Sequence, residues 1–175
     1  MPIHQHTKVQ VFNLKGSDKL LKTPLRYPGG KSRACTKMEN FLPNMDVGSR
    51  YKQYREPFLG GGSFALHITK KYPHLEIWVN DAYEPLANFW QQLKADGVEM
   101  RKRLVKLKNA NKTEEKAKEL FLKAKEDVND QTKSNLDRAV SFYVINKCSF
   151  SGLTESSSFS PQASKSNFTL AGIKR

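Results

Sequence analysis

A chain of 175 residues can build one domain with a core and a small second lobe, and none of its runs approaches the roughly 20 apolar residues that span a bilayer. Its 30 Lys and Arg against 17 Asp and Glu give a formal charge of +13, which favours a polyanion, nucleic acid first, over the merely solvated lysine-rich face that has the same composition. The start, MPIHQHTKVQ, lacks the apolar stretch of a secretory signal, and two distant cysteines, Cys35 and Cys148, form neither a disulfide framework nor a zinc pattern, so a reducing, intracellular compartment is expected.

Residues 1–22 are polar and without periodicity, and read as a flexible arm. His4 and His6 have no acidic or cysteine neighbour, so no metal site is expected there. The stretch TPLRYPGGKSR (23–33) puts a glycine turn before a helix expected from Lys31 to about Phe41, ahead of Pro43. Gly30-Lys31-Ser32 is not a phosphate-binding P-loop, because that pattern needs glycine at position 25, where Leu25 stands. An aromatic, Tyr27, and a cation, Lys31, remain: one can stack on a flat heterocycle and the other can hold a carboxylate.

YKQYREPFLGGGS (51–63) reads as a strand, Tyr51–Phe58, closed by glycines 60–62, with an apolar helical pattern from Phe64 to Tyr72 behind it. Strand, glycine turn and helix bring backbone close to a ligand at the carboxyl end of a parallel strand. The alternative is a tight turn with no ligand. A second strand, Leu75–Asn80, ends on Asp81, which lies at the offset where an acid meets ribose hydroxyls, or where it caps the helix expected over Ala82–Leu93. From Gly97 to Lys147 apolar residues recur at helical spacing among lysines, the last helix being Leu136–Lys147. Ser149–Lys165 is serine-rich and reads as a mobile loop, and Phe168-Thr169-Leu170 reads as the start of a strand or a frayed end.

In this order and spacing, TPLRYPGGKSR, REPFLGGGS, WVNDAYEPL and RAVSFYVINKCSFSGL resemble the Dam-like DNA adenine-N6 methyltransferases, over most of residues 23–153. The resemblance implies a Rossmann-like α/β domain, dependent on S-adenosylmethionine, with an incomplete sheet and a helical DNA-recognition insertion. It divides the chain into the arm, an α/β cofactor-binding part at 23–96, a helical recognition lobe at 97–153, and a serine-rich remainder at 154–175. It implies that Tyr27, Lys31, Phe58, Gly60, Gly62 and Asp81 contact S-adenosylmethionine. It also implies that Arg138, Lys147, Phe150, Ser151 and Gly152 contact double-stranded DNA.

Adenine N6 must leave the duplex to be methylated, and the family's Asp/Asn-Pro-Pro-Tyr/Phe motif receives it. The sequence has no Pro-Pro pair, so no catalytic residue is assigned within it. That motif is expected beyond Arg175, and the chain reads as the amino-terminal part of an enzyme. The alternative is a non-catalytic or split-enzyme subunit that binds DNA or cofactor for a partner chain. Ser151-Gly152-Leu153-Thr154-Glu155 also departs from the family's Asn-Gly-Leu and following basic residue, and places an acid where phosphates are expected.

Overall fold

A computed structural model describes residues 22–152 and 156–174. The arm, apart from Lys22, lies outside the described residues with its two histidines, as does Leu153-Thr154-Glu155. The chain divides into two units, one holding Gly29–Ala82 and the other Tyr83–Arg175 together with Pro24–Pro28. The change of unit therefore falls at Ala82 and Tyr83, and the short segment containing Tyr27 belongs with the second unit.

The first unit runs α1 (Cys35–Glu39), β1 (Gln53–Glu56), α2 (Ser63–Lys71) and β2 (Glu76–Val79). Both strands lie inside the predicted ranges. They are short because Pro57 and Pro73 punctuate the chain, and proline removes a backbone donor. β1 and β2 pair in parallel, Tyr54 opposite Ile77 and Glu56 opposite Val79. Period-two alternation puts these four residues on one face, where Ile77 and Val79 are buried. The other face is polar: Gln53 Nε2 donates to Glu76 Oε2 at 2.7 Å, and the Arg55 guanidinium sits 5.8 Å from the Trp78 ring centre. Phe64, Ala65 and Ile68 are the buried face of α2.

α1 is shorter than predicted. Lys31–Ala34 form a turn, with the Ala34 N–H bonded to Lys31 O, and helix begins at Cys35. Glu39 ties α1 to α2: its carboxylate accepts from Lys71 Nζ, from Tyr72 Oη at 3.2 Å, and is 2.7 Å from His67 Nε2. Among the described residues the sheet has these two strands only.

The second unit is helical: α3 (Glu84–Ala110), α4 (Glu114–Asp127), α5 (Asn135–Cys148), α6 (Pro161–Asn167) and α7 (Leu170–Lys174). α3 is one long element that runs past Leu93, where the sequence suggested an end, with a break at Asp96 (φ −145°, ψ 42°) just before Gly97. Thr113 and Ser134 cap α4 and α5 by accepting from Lys116 N and Asp137 N. α5 is buried nearly all round, from Arg138 through Asn146, against α3 and α4. Phe89, Phe121, Phe142, Val144, Ile145 and Phe168 fill the core, with Phe89 near-parallel to Tyr143 at 6.1 Å between centres.

Two expectations about the carboxyl-terminal stretch are corrected. Pro161–Asn167 forms a helix that takes up the end of the predicted loop and two residues beyond it, because Ser160 accepts from Ala163 N and Pro161 occupies the first turn, where it has no hydrogen bond to lose. The serine-rich run is further held by a bridge between Ser149 and Phe159, and by Ser160 N bonding to Cys148 O at 2.9 Å. Phe168 to Leu170 starts no strand: Phe168 is 1% exposed in the helical core, and α7 follows. No helix among the described residues is long and apolar enough to cross a membrane.

Candidate functional site

Parallel pairing brings the carboxyl ends of β1 and β2 side by side. The two exits are stitched together: Leu59 N–H donates to Asn80 O at 2.8 Å, and Gly60 N–H donates to Asp81 Oδ2 at 2.8 Å. Gly62 N–H closes the turn onto Leu59 O at 2.9 Å. Gly60 and Gly62 take φ of +52° and +68°, a region that side chains with a Cβ avoid, and residues 60–62 are buried. Gly62 then starts α2 with no side-chain cap, and Tyr83 takes the cap position of α3. The Asp81 carboxylate accepts from the glycine loop.

Lys31 approaches the same strand ends. Ser32 Oγ lies 2.9 Å from Ser63 Oγ, and Cys35 Sγ donates to Lys31 O at 3.2 Å and Ser63 O at 3.6 Å. These contacts seat the Lys31 turn on the first residue of α2. Glu56 completes the group and carries the most informative electrostatics. Burial raises its pKa above the usual 4.5, and the Tyr54 hydroxyl, the Lys31 charge and the Ala65 backbone N–H oppose the rise. Tyr54 Oη donates to Glu56 Oε2 at 3.1 Å, and burial, then Glu56, pushes the Tyr54 pKa up. Burial and Glu56 also raise the Cys35 thiol, so Cys35 is a packed neighbour and not an activated nucleophile.

Lys31, Gly60, Gly62 and Asp81 therefore share one unit and one end of one sheet. Phe58 stands on the same loop, 82% exposed. Tyr27, 44% exposed, belongs to the other unit. Glu56 went unassigned from sequence, although an acid immediately before Pro57 at a strand end was a usable signal. As a fit for S-adenosylmethionine, the donor set is suitable: a cation for a carboxylate, a carboxylate for hydroxyls, and buried glycines where a ligand would meet backbone.

The proposed DNA-contacting residues are all in the helical unit. Phe150 is 77% exposed, and Lys147 is half-buried with its ammonium 5.2 Å from the Tyr143 ring centre. Ser151 is half-buried and Gly152 buried with φ +77°. Arg138 differs. It is 3% exposed, and its guanidinium donates to Glu84 Oε2, Val128 O and Gln131 Oε1. It joins the start of α3 to α5 and presents no charge outward, so it leaves the DNA-contacting set. Among the described residues no group of His, Cys, Asp and Glu could hold a metal ion.

Residues 27–171 match the family described as D12 class N6 adenine-specific DNA methyltransferase. The chain is also similar to the Type II methyltransferase M.MjaIII of Methanocaldococcus jannaschii, 30% identical over 138 residues, which cover 76% of this chain and 47% of that relative. The chain thus spans about half the length of the curated relative it matches.

Proposed function

The chain belongs to the D12 class of N6 adenine-specific DNA methyltransferases, and from that premise we propose that its first unit binds S-adenosylmethionine and its second engages double-stranded DNA. The observation that carries the reading is the bond from Gly60 N–H to Asp81 Oδ2, which fixes a side-chain-free turn and an acid at the mouths of two parallel strands. The Lys31 charge acts at the same mouth, on Glu56. Lys31 would hold the donor's carboxylate, Asp81 its ribose hydroxyls, and Gly60 and Gly62 would let its methionine chain approach backbone. Phe58, exposed on the same loop, would supply apolar contact. When bound, S-adenosylmethionine supplies an electrophilic methyl group.

On the DNA side, Phe150 offers an exposed aromatic for stacking or wedging, and Lys147, Ser151 and Gly152 complete the loop. Lysines along α3 and α4 add a salt-sensitive attraction for phosphates. The reading implies an intracellular location, where DNA is. No Pro-Pro pair occurs in the 175 residues, so by our reading they bind the methyl donor without transferring the methyl group by themselves.

One observation favours a second reading, a subunit that functions with a partner chain carrying the catalytic motif. Lys52 O and Glu56 O accept from Glu76 N and Asn80 N, so the alternation of a strand turns the backbone of Gln53 and Arg55 to the opposite edge of β1. Among the described residues no strand pairs there. An open edge of this kind accepts another strand, whether from the same polypeptide or from a second one.

Equilibrium titration with S-adenosylmethionine tests the primary reading. The wild-type chain binds, and Lys31→Ala and Asp81→Ala each weaken binding by about tenfold or more, the worth of one charge-assisted contact. Undiminished binding by both variants overturns the site. Methyl transfer to duplex DNA by the wild-type chain alone overturns the proposed division of labour.

A further inference from the structure

Pro24–Pro28 lies across the carboxyl end of α5, held by a buried amide. Asn146, 1% exposed, accepts from Arg26 N–H through Oδ1 at 2.9 Å and donates through Nδ2 to Arg26 O at 2.6 Å and Gly152 O at 2.8 Å. One acceptor and two donors are what an asparagine amide offers, and all three are used. The Arg26 side chain returns to the same loop, with Nη1 donating to Ser149 O at 2.7 Å and Nη2 to Phe150 O at 3.0 Å. Gly152 completes the fit. At φ +77° a Cβ there would come within 2.8 Å of both Arg26 Cβ and Arg26 O. The carbonyls of Ser149, Phe150 and Gly152 are thus each held by Arg26 or Asn146, while the Phe150 side chain stays exposed.

We propose that Arg26 and Asn146 form a latch that sets the conformation of the Ser149–Gly152 loop and thereby determines which base sequence the loop selects. The proposal rests on the reading of that loop as DNA-contacting. Arg26 and Asn146 are positioning residues: the guanidinium is committed to loop carbonyls, and the loop presents Phe150. Proteins that bind without the latch would still have the basic surface, so the latch governs discrimination and not gross attraction.

The test uses the full chain and an end-labelled duplex pool with a randomised window. Selection is run on wild type, Arg26→Ala, Arg26→Lys, Asn146→Asp and Gly152→Ala. A separate readout without DNA follows hydrogen exchange at the Phe150 amide, which donates to Ser158 O at 3.2 Å. Wild type enriches a base pattern. Arg26→Ala, Asn146→Asp and Gly152→Ala enrich it about tenfold less, within the range of one lost base contact, while random-duplex affinity stays within about twofold.

Arg26→Lys, which can reach one carbonyl at a time, retains part of the selectivity. Phe150 exchange accelerates in the three disrupting variants. Lowering the pH partly rescues Asn146→Asp, because the protonated carboxyl regains a donor, an effect a simple folding defect would not show. Variants that select the wild-type pattern to the same degree overturn the latch while leaving the DNA reading intact. If wild type selects nothing although exchange rises in the variants, the loop's DNA assignment fails and the specificity role fails with it.

Discussion

The two units bury their residues differently. In the helical unit Phe89, Phe121, Phe142, Val144, Ile145 and Phe168 are each at most 2% exposed, and α5 is enclosed by its neighbours. In the α/β unit two four-residue strands carry one apolar face, and Tyr54 and Glu56 on β1 are only half-buried. A two-stranded sheet contributes little stability by itself, so that unit depends on α1 and α2 and on whatever joins the open edge of β1. The glycine loop adds to the deficit, since buried glycines give the unfolded chain freedom and the folded chain no side-chain contacts. The lesson is a division between a well-packed helical scaffold and an α/β part, proposed to bind cofactor, that its own packing stabilises weakly.

The largest effect is expected where the core is complete. Phe89→Ala removes a fully buried ring and costs about 3–5 kcal/mol. In urea, monitored by hydrogen exchange, the wild-type α/β unit opens first. Phe89→Ala reverses that order or merges the two transitions. A wild-type chain whose α/β unit outlasts the helical one would break the comparison. A smaller effect is expected at Gly62→Ala, which forces a Cβ into φ +68° and costs the α/β unit about 1 kcal/mol by the same measurement. The helical unit should not respond.

The smallest effect is a pH dependence. Burial raises the folded-state pKa of Glu56 above 4.5, so over the interval between those two values the folded chain holds a proton that the unfolded chain has released. This contribution is fully present below 4.5 and is lost as pH rises through the raised value. Glu56→Gln should flatten that slope in the α/β unit, read from exchange at a series of pH values, and an unchanged slope would assign it elsewhere.

Local signals were legible where glycine or proline punctuates an apolar pattern. β1 and β2 fell inside their predicted ranges, and α2 within one residue of its own at each end, because Gly60–Gly62, Pro57 and Pro73 mark the ends. Lys31, the glycine loop and Asp81 were legible as residue types, and the fold brings them to one sheet end. α6 and α7 were not legible, because a serine-rich run reads as loop and the decisive contacts are a single cap and the burial of Phe168. Arg138 entered the DNA-contacting set through the family resemblance, and its pairing with Glu84, 54 positions away, leaves no local mark in the sequence. Asn146 and Arg26 are separated by 120 positions and carry no local mark at all.

The most direct measurement follows backbone amide resonances of the wild-type chain during titration with S-adenosylmethionine. The account predicts saturable shifts at Gly60, Gly62, Asp81 and the Lys31 turn, all with one dissociation constant. Shifts confined to the helical unit, or none at saturating ligand, would contradict it.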